Sequence, residues 1–126
     1  MNKREFILNT LIGYKNDPTT CAIENGFCRY LTQDGHKCAV GKHLKEGPWQ
    51  NELNMGIREL IKKYEEDIFT DEAKEQNLSI SEWNTMQLYH DTISTSLELP
   101  NIFSINNHVK RLEILTGLEF PELYFK

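Results

Sequence analysis

Cysteine, histidine and aspartate are the residue types of a thiolate nucleophile, its base and an orienting carboxylate. Cys28, Cys38, His90 and Asp91 are the residues of this chain that could fill those roles. Spacing weakens a simple triad. Adjacent residues on a helix point about 100° apart, so Asp91 does not easily orient the ring of His90. It reads as well as a separate acceptor, for a ligand or for backbone N–H groups around Cys38 to Gly41. The competing reading makes His90 a core histidine satisfied by a backbone carbonyl, with the cysteines as small buried hydrophobes.

Two further sets bear chemistry. Tyr30, Trp83, Gln87, His90 and Asp91 combine aromatic walls with a few polar groups, the make-up of a pocket able to read a nucleobase or a signalling nucleotide. Against this, Tyr30 and Trp83 serve equally well as packing residues. Cys28, His36, Cys38 and His43 are the right types for zinc, but their spacing lacks the C-x2-C knuckle of zinc motifs. A set of Cys28, Cys38 and His90 is geometrically freer and has no standard spacing either. No metal site is expected, and the cofactor stays open.

These residues need elements to hold them. Asp34-Gly35 lies between two runs able to pair as antiparallel strands, because glycine takes the positive φ that a hairpin turn requires. With Gly35 as the left-handed residue of a three-residue loop, Thr32 faces His36, Tyr30 faces Cys38 and Cys28 faces Val40. Cys28, Tyr30 and Cys38 then share a face. A two-residue turn would put Cys28 and Cys38 on opposite faces. Asn25-Gly26 is a second hairpin signal, pairing Glu24 with Phe27 and Ile23 with Cys28. Together they predict a three-stranded meander from about 19 to 40.

Helical periodicity predicts a first helix over 3 to 15 and a core helix over 52 to 67, the latter on Leu53, Ile57, Leu60, Ile61, Tyr64 and Ile68. Thr70 to Gln76 reads as a short exposed helix or loop. Ser79 and Glu82 form a capping box, opening a helix whose stripe is Trp83, Met86, Gln87, His90, Ile93 and Leu97 and which Pro100 closes. A last helix over 105 to 116 stops at Gly117. The expected fold is α+β, a small three-stranded antiparallel meander packed against about four helices, in one compact domain over 1–126. His90, in the middle of its stripe, is expected to be buried and hydrogen-bonded through whichever ring nitrogen carries its hydrogen.

At 126 residues, 39% apolar and 26% charged, the composition is that of an ordinary globular chain. No apolar run reaches bilayer length, and the Met1-Asn2-Lys3-Arg4 start precedes no signal-peptide core. A cytoplasmic protein with no membrane partner is expected. A net charge of −5 without a basic cluster argues against nucleic acid as a partner. Three cysteines, an odd number, favour reduced thiols over a disulfide framework.

Cys28-Arg29-Tyr30, Asp34-Gly35, Cys38-Ala39-Val40-Gly41 and then Gln87 with His90-Asp91 make a C-x-Y…DG-x-x-C-A-[IV]-G…Q-x-x-H-D pattern. It resembles small proteins of tailed phages and of bacteria. The resemblance brings no activity with it. It implies a phage-type accessory protein that counters host defence in the host cytosol and acts by binding. Such a protein would sequester a nucleotide-like small molecule or block a host protein, and the acidic stretch from Tyr64 to Glu75 suits the second use. The alternative is a Cys-dependent hydrolase or transferase using Cys28 or Cys38 with His90. The oligomeric state stays open.

Overall fold

The computed structural model describes residues 1–53, 55–64 and 67–126, with Phe27 described by its backbone alone. Among them five α-helices follow one another: α1 (Lys3–Asn16), α2 (Ile57–Tyr64), α3 (Asp71–Gln76), α4 (Ile80–Thr95) and α5 (Leu99–Thr116). Regular β structure amounts to one hairpin of two-residue strands, β1 (Ile23–Glu24) and β2 (Phe27–Cys28). The chain is therefore mainly helical, and the α+β expectation with its three-stranded meander is wrong.

The helices form where side chains can satisfy their ends. Asn2 caps α1 by accepting from the Glu5 N–H at 2.8 Å. The stripe Phe6, Ile7, Leu11 and Tyr14 is wholly buried. Each such large apolar side chain contributes roughly 1.5–3 kcal/mol relative to exposure. In α4 the capping box is present: Ser79 Oγ accepts from Glu82 N–H (3.1 Å), and the Glu82 carboxylate accepts from Ser79 N–H (2.8 Å). Gly117, left-handed at φ +71°, ends α5 by donating to Glu113 O.

Boundaries shift where proline and exposure decide them. Pro100 does not close α4, which ends at Thr95. It sits in the first turn of α5, where a missing N–H costs nothing. Leu97, assigned to the buried stripe, lies beyond the helix and is exposed. The helix expected over 52 to 67 is shorter at its start, because Leu53 is exposed and the Glu52 side chain accepts from Lys63 and Tyr64 instead. Residues 54, 65 and 66 of that stretch lie outside the described residues.

α4 is the central helix. It packs along α5 after a three-residue connection, meets α1 and α2, and abuts the turn at Pro18–Thr20. The C-terminal tail closes the assembly: Phe120 and Leu123 are buried, Tyr89 donates to Leu123 O (2.9 Å), and Arg4 grips Glu122 through two contacts of 2.6 and 2.7 Å. No helix of the described residues is long and apolar enough to cross a membrane.

The two turns are where the residues place them. Asn25 (φ +54°) and Gly26 (φ +80°) make the tight turn that pairs Glu24 with Phe27 and Ile23 with Cys28. At the other loop Gly35 is left-handed (φ +86°), Thr32 N–H donates to His36 O (2.9 Å), and Leu31 bridges Lys37, the three-residue-loop register. Pairing stops there. After Cys38 the chain folds back into a 3-10 turn at Gly41–His43 that packs under Tyr30, so Cys28 never meets Val40 as a ladder partner.

Candidate functional site

A sheet would have satisfied the backbone of this region, and α4 does so instead. Ala22 N–H donates to His90 Nε2 at 2.9 Å, and Val40 N–H donates to Gln87 Oε1 at 3.1 Å. Gln87 and His90 are three residues apart and thus share a helix face. One reaches the first hairpin and the other the Cys38–Gly41 turn. Both then converge on Asp91: Gln87 Nε2 donates to Asp91 Oδ1 at 2.8 Å, and His90 Nδ1 reaches the same oxygen at 2.8 Å. The carboxylate takes the donors of its own helix, and Gln87, not Asp91, receives the N–H of the Cys38–Gly41 turn.

The hydrogen positions on His90 follow. A neutral imidazole has one donor nitrogen and one acceptor. Because Nε2 accepts from Ala22 N–H, the hydrogen sits on Nδ1 and points at Asp91. The ring is fully buried, with Tyr14 edge-on at 4.6 Å between centroids. Asp91 does orient the ring of His90, against the expectation that their separation of about 100° makes this difficult. The two Cα–Cβ bonds diverge, but side chains of this length bend back towards each other.

Asp91 faces a cleft of about 230 Å³. Cys28, Arg29 and Tyr30 line one side, with Cys38 and Val40 beneath. Glu52, Met55, Gly56 and Ile57 form the far wall, and Asn84, Gln87 and Asp91 form the α4 side. Tyr30 OH donates to Met55 O at 2.5 Å, pinning the far wall to the hairpin. A second hollow of about 170 Å³ shares Gly56, Ile57 and Asn84 with the first and adds Arg58, Glu59 and Ser81.

Of the residues assigned to a ligand pocket, Tyr30, Gln87 and Asp91 line this cleft, joined by Cys28 and Cys38. His90 stands behind it as a support. Trp83 is elsewhere, stacked on Phe69 at 4.8 Å and edge-on to Phe6 at 6.1 Å in the core. Asn84, Arg29, Glu52, Met55 and Arg58 were not singled out as site residues. Asn84 was within reach, since 84, 87 and 91 fall on one helical stripe. Met55 and Arg58 arrive from a distant stretch of chain with no pattern pointing to the cleft.

The thiols are not activated. Burial pushes Cys28 up to about 11 and both Cys21 and Cys38 up to about 12. Ser94 Oγ–H donates to Asp91 O (2.7 Å), so Cys28 Sγ–H donates to Ser94 Oγ (3.5 Å). Cys21 Sγ–H points at His90 O (3.9 Å), and Cys38 Sγ accepts from Gly41 N–H (3.3 Å). Among the described residues no cysteine is in a disulfide. His36 is exposed and His43 packs against Phe6 at 4.3 Å, so the Cys28, His36, Cys38, His43 combination is not assembled as a metal site.

Cys28, His90 and Asp91 do bring three potential metal-donor atoms within 4.8 Å of one another. They do not fit an ion. A metal needs a bare imidazole nitrogen, whereas Nε2 is taken by Ala22 N–H and Nδ1 carries the hydrogen directed at Asp91. Moving the hydrogen to Nε2 would set two donors face to face. Comparison with protein-family models, with curated proteins and with solved structures finds no match to this chain.

Proposed function

We propose that the chain acts by binding, and that the cleft beside Asp91 takes the base of a nucleotide-like small molecule. The observation that carries this is the held carboxylate. Asp91 Oδ1 already accepts two hydrogen bonds, and a carboxylate has about four acceptor sites, so its remaining capacity lies with Oδ2. Asp91 is about one third exposed and lines the cleft. A fixed acceptor at the bottom of a pocket selects a ligand that offers an N–H or amino group.

Size and charge narrow the class. About 230 Å³ is below the ~300 Å³ at which drug-sized ligand sites begin, so one ring system enters and the rest of the ligand lies outside. Among the lining residues Arg29 pairs with Glu24 at 2.5 Å and Glu52 with Lys63 at 2.6 Å, which leaves the Asp91 carboxylate without a Lys or Arg partner. An anionic group of the ligand therefore lies outside the cleft, away from Asp91. The resemblance to phage proteins supplies the setting: an accessory protein that withdraws a small nucleotide from its users.

A Cys-dependent hydrolase or transferase has less support. Its thiols are held protonated, and the only bare nitrogen of His90 is occupied by a backbone N–H. Calorimetric titration of the purified chain with nucleosides and their 5′-phosphates tests the binding reading. Saturable heat from a base-bearing compound, lost in Asp91→Asn and retained in Cys28→Ser, is expected. Silence across the panel, or binding indifferent to Asp91→Asn, would overturn it.

A further inference from the structure

The side chains around Asp91 have spent their hydrogens. Tyr30 gives its hydroxyl hydrogen to Met55 O, and Cys28 gives its thiol hydrogen to Ser94 Oγ. Gln87 gives its amide hydrogens to Asp91 Oδ1 and to Cys38. Among the described lining residues, side-chain hydrogens remain on Arg29, which is drawn onto Glu24, and on Asn84, two turns of α4 or about 10 Å from Asp91. What meets a ligand beside Asp91 is therefore Oδ2 and the sulfur of Cys28, which lies within 4.8 Å of the carboxylate. Both are acceptors.

Resting on the reading that this cleft takes a base, we propose that it takes an amino-bearing base, adenine or cytosine, and rejects the deaminated counterpart, hypoxanthine or uracil. An exocyclic amino group carries two diverging N–H hydrogens, one for Oδ2 and one for Cys28 Sγ. It stands one bond out from the ring, so the ring's own acceptors stay behind it. In hypoxanthine and uracil the same position is a carbonyl oxygen, which sets lone pairs against lone pairs. Their ring N–H does not replace the amino group. It carries one hydrogen, and the carbonyl beside it comes up against the second acceptor. A site built to receive a hydrogen bond discriminates strongly against the analogue that lacks the donor.

The atom standing at Oδ2 sets this preference, and α4 fixes which atom that is. Gln87 Nε2 and His90 Nδ1 both donate to Oδ1, and the His90 hydrogen stays on Nδ1 because Nε2 accepts from Ala22 N–H. In Asp91→Asn the amide oxygen must keep the Oδ1 place, since an amide nitrogen there would face two donors. The nitrogen then takes the Oδ2 place and turns the acceptor of the cleft into a donor. The change should invert the preference, favouring the carbonyl of a deaminated base over the amino group.

Calorimetric titration with adenosine against inosine, and with cytidine against uridine, tests this, because each pair differs at that one edge of the base. The parent chain should bind the amino member of a pair at least about tenfold more tightly. Asp91→Asn should bind the deaminated member the more tightly, by a similar factor. Equal affinity within the pair that binds would overturn this inference and leave the cleft a base site, whereas silence with all four nucleosides would overturn the base-binding reading along with it. A folded Asp91→Asn chain, judged by its thermal midpoint, that keeps the parent's preference or binds neither member would overturn it too. Should that variant not fold, the ratio measured on the parent decides alone.

Discussion

His90 and Asp91, consecutive in sequence, are hydrogen-bonded side chain to side chain, Nδ1 to Oδ1 at 2.8 Å. The pair belongs to a longer chain of contacts from Ala22 N–H through His90 to Asp91, and from Asp91 through Gln87 to Val40 N–H. One helix face therefore ties down two loops that have almost no ladder of their own. The same contacts hold one carboxylate oxygen still and leave its partner to the cleft, so packing and the proposed binding are linked at a single residue.

Substitutions at this pair should separate support from binding. His90→Phe keeps an aromatic ring but strands the buried Ala22 N–H, at a cost of roughly 1–3 kcal/mol. His90→Ala adds a cavity and should cost more, about 2–5 kcal/mol. Asp91→Ala leaves the His90 and Gln87 donors unpaired and should fall near the lower end of 1–3 kcal/mol, because Asp91 is partly exposed. Asp91→Asn retains an accepting oxygen and should cost less than Asp91→Ala. Urea unfolding checks the order. An unchanged midpoint in Asp91→Ala would sink its structural role.

Acid should weaken the fold through His43. Its ring is enclosed by Phe6 and Trp83, and Thr10 Oγ1, whose own hydrogen goes to Phe6 O, accepts from Nε2 at 2.8 Å. Burial first, and the neighbouring Lys42 charge second, lower it to about 4. A lowered value in the folded state means the unfolded chain binds more protons between about 4 and the ordinary 6.5. Stability is therefore present above that window and lost as pH falls through it, by on the order of 3 kcal/mol. Denaturant midpoints at pH 7 and pH 4.5 measure the loss, and His43→Phe should flatten it. An equal loss in the variant would assign the effect to other groups.

The sequence was most legible where a local rule acts alone. Asn25-Gly26 and Asp34-Gly35 turn as their φ requirements demand, Ser79 with Glu82 opens a helix, and His90 is buried on the expected stripe. What it did not carry was the partner of each loop N–H. Strand-forming residues around Cys21 and Cys38 suggested a ladder, yet the acceptors come from Gln87 and His90, nearly fifty and nearly seventy residues away. Turn chemistry fixes where a chain reverses and not whether the arms stay paired. The cleft was half visible for the same reason: its α4 side follows helical spacing, while Met55 and Glu52 reach it only through tertiary packing.

Thiol chemistry should be slow. Cys28, the least buried of the three, is pushed by burial from 9.0 up to about 11. Its thiolate fraction near neutral pH is then about a hundredfold below that of an ordinary cysteine. Reaction of the folded chain with an aromatic disulfide reagent at pH 8 should lag a small-thiol control by roughly that factor, and all three thiols should react once the chain is unfolded in urea. Rapid labelling of Cys28 in the folded chain would restore the nucleophile reading.

Two glycines test how closely the Cys38–Gly41 turn must pack. A Cβ added at Gly41 would lie 2.0 Å from Tyr30 O and 2.8 Å from Tyr30 C, both backbone atoms that cannot swing aside. Relief would require lifting the turn from the hairpin. That would break the Val40 N–H bond to Gln87 and the Gly41 N–H contact with Cys38 Sγ, and would open the floor of the cleft. Gly41→Ala should therefore destabilise by about 3 kcal/mol or more and abolish ligand binding together. Gly13 is the control: it lies inside α1 with nothing within 4 Å of the added carbon. Gly13→Ala should stabilise by roughly 0.5–1 kcal/mol through helix propensity. Thermal unfolding of the two variants should move in opposite directions, and a Gly41→Ala chain as stable as the parent would mean that the turn does not rest on Tyr30.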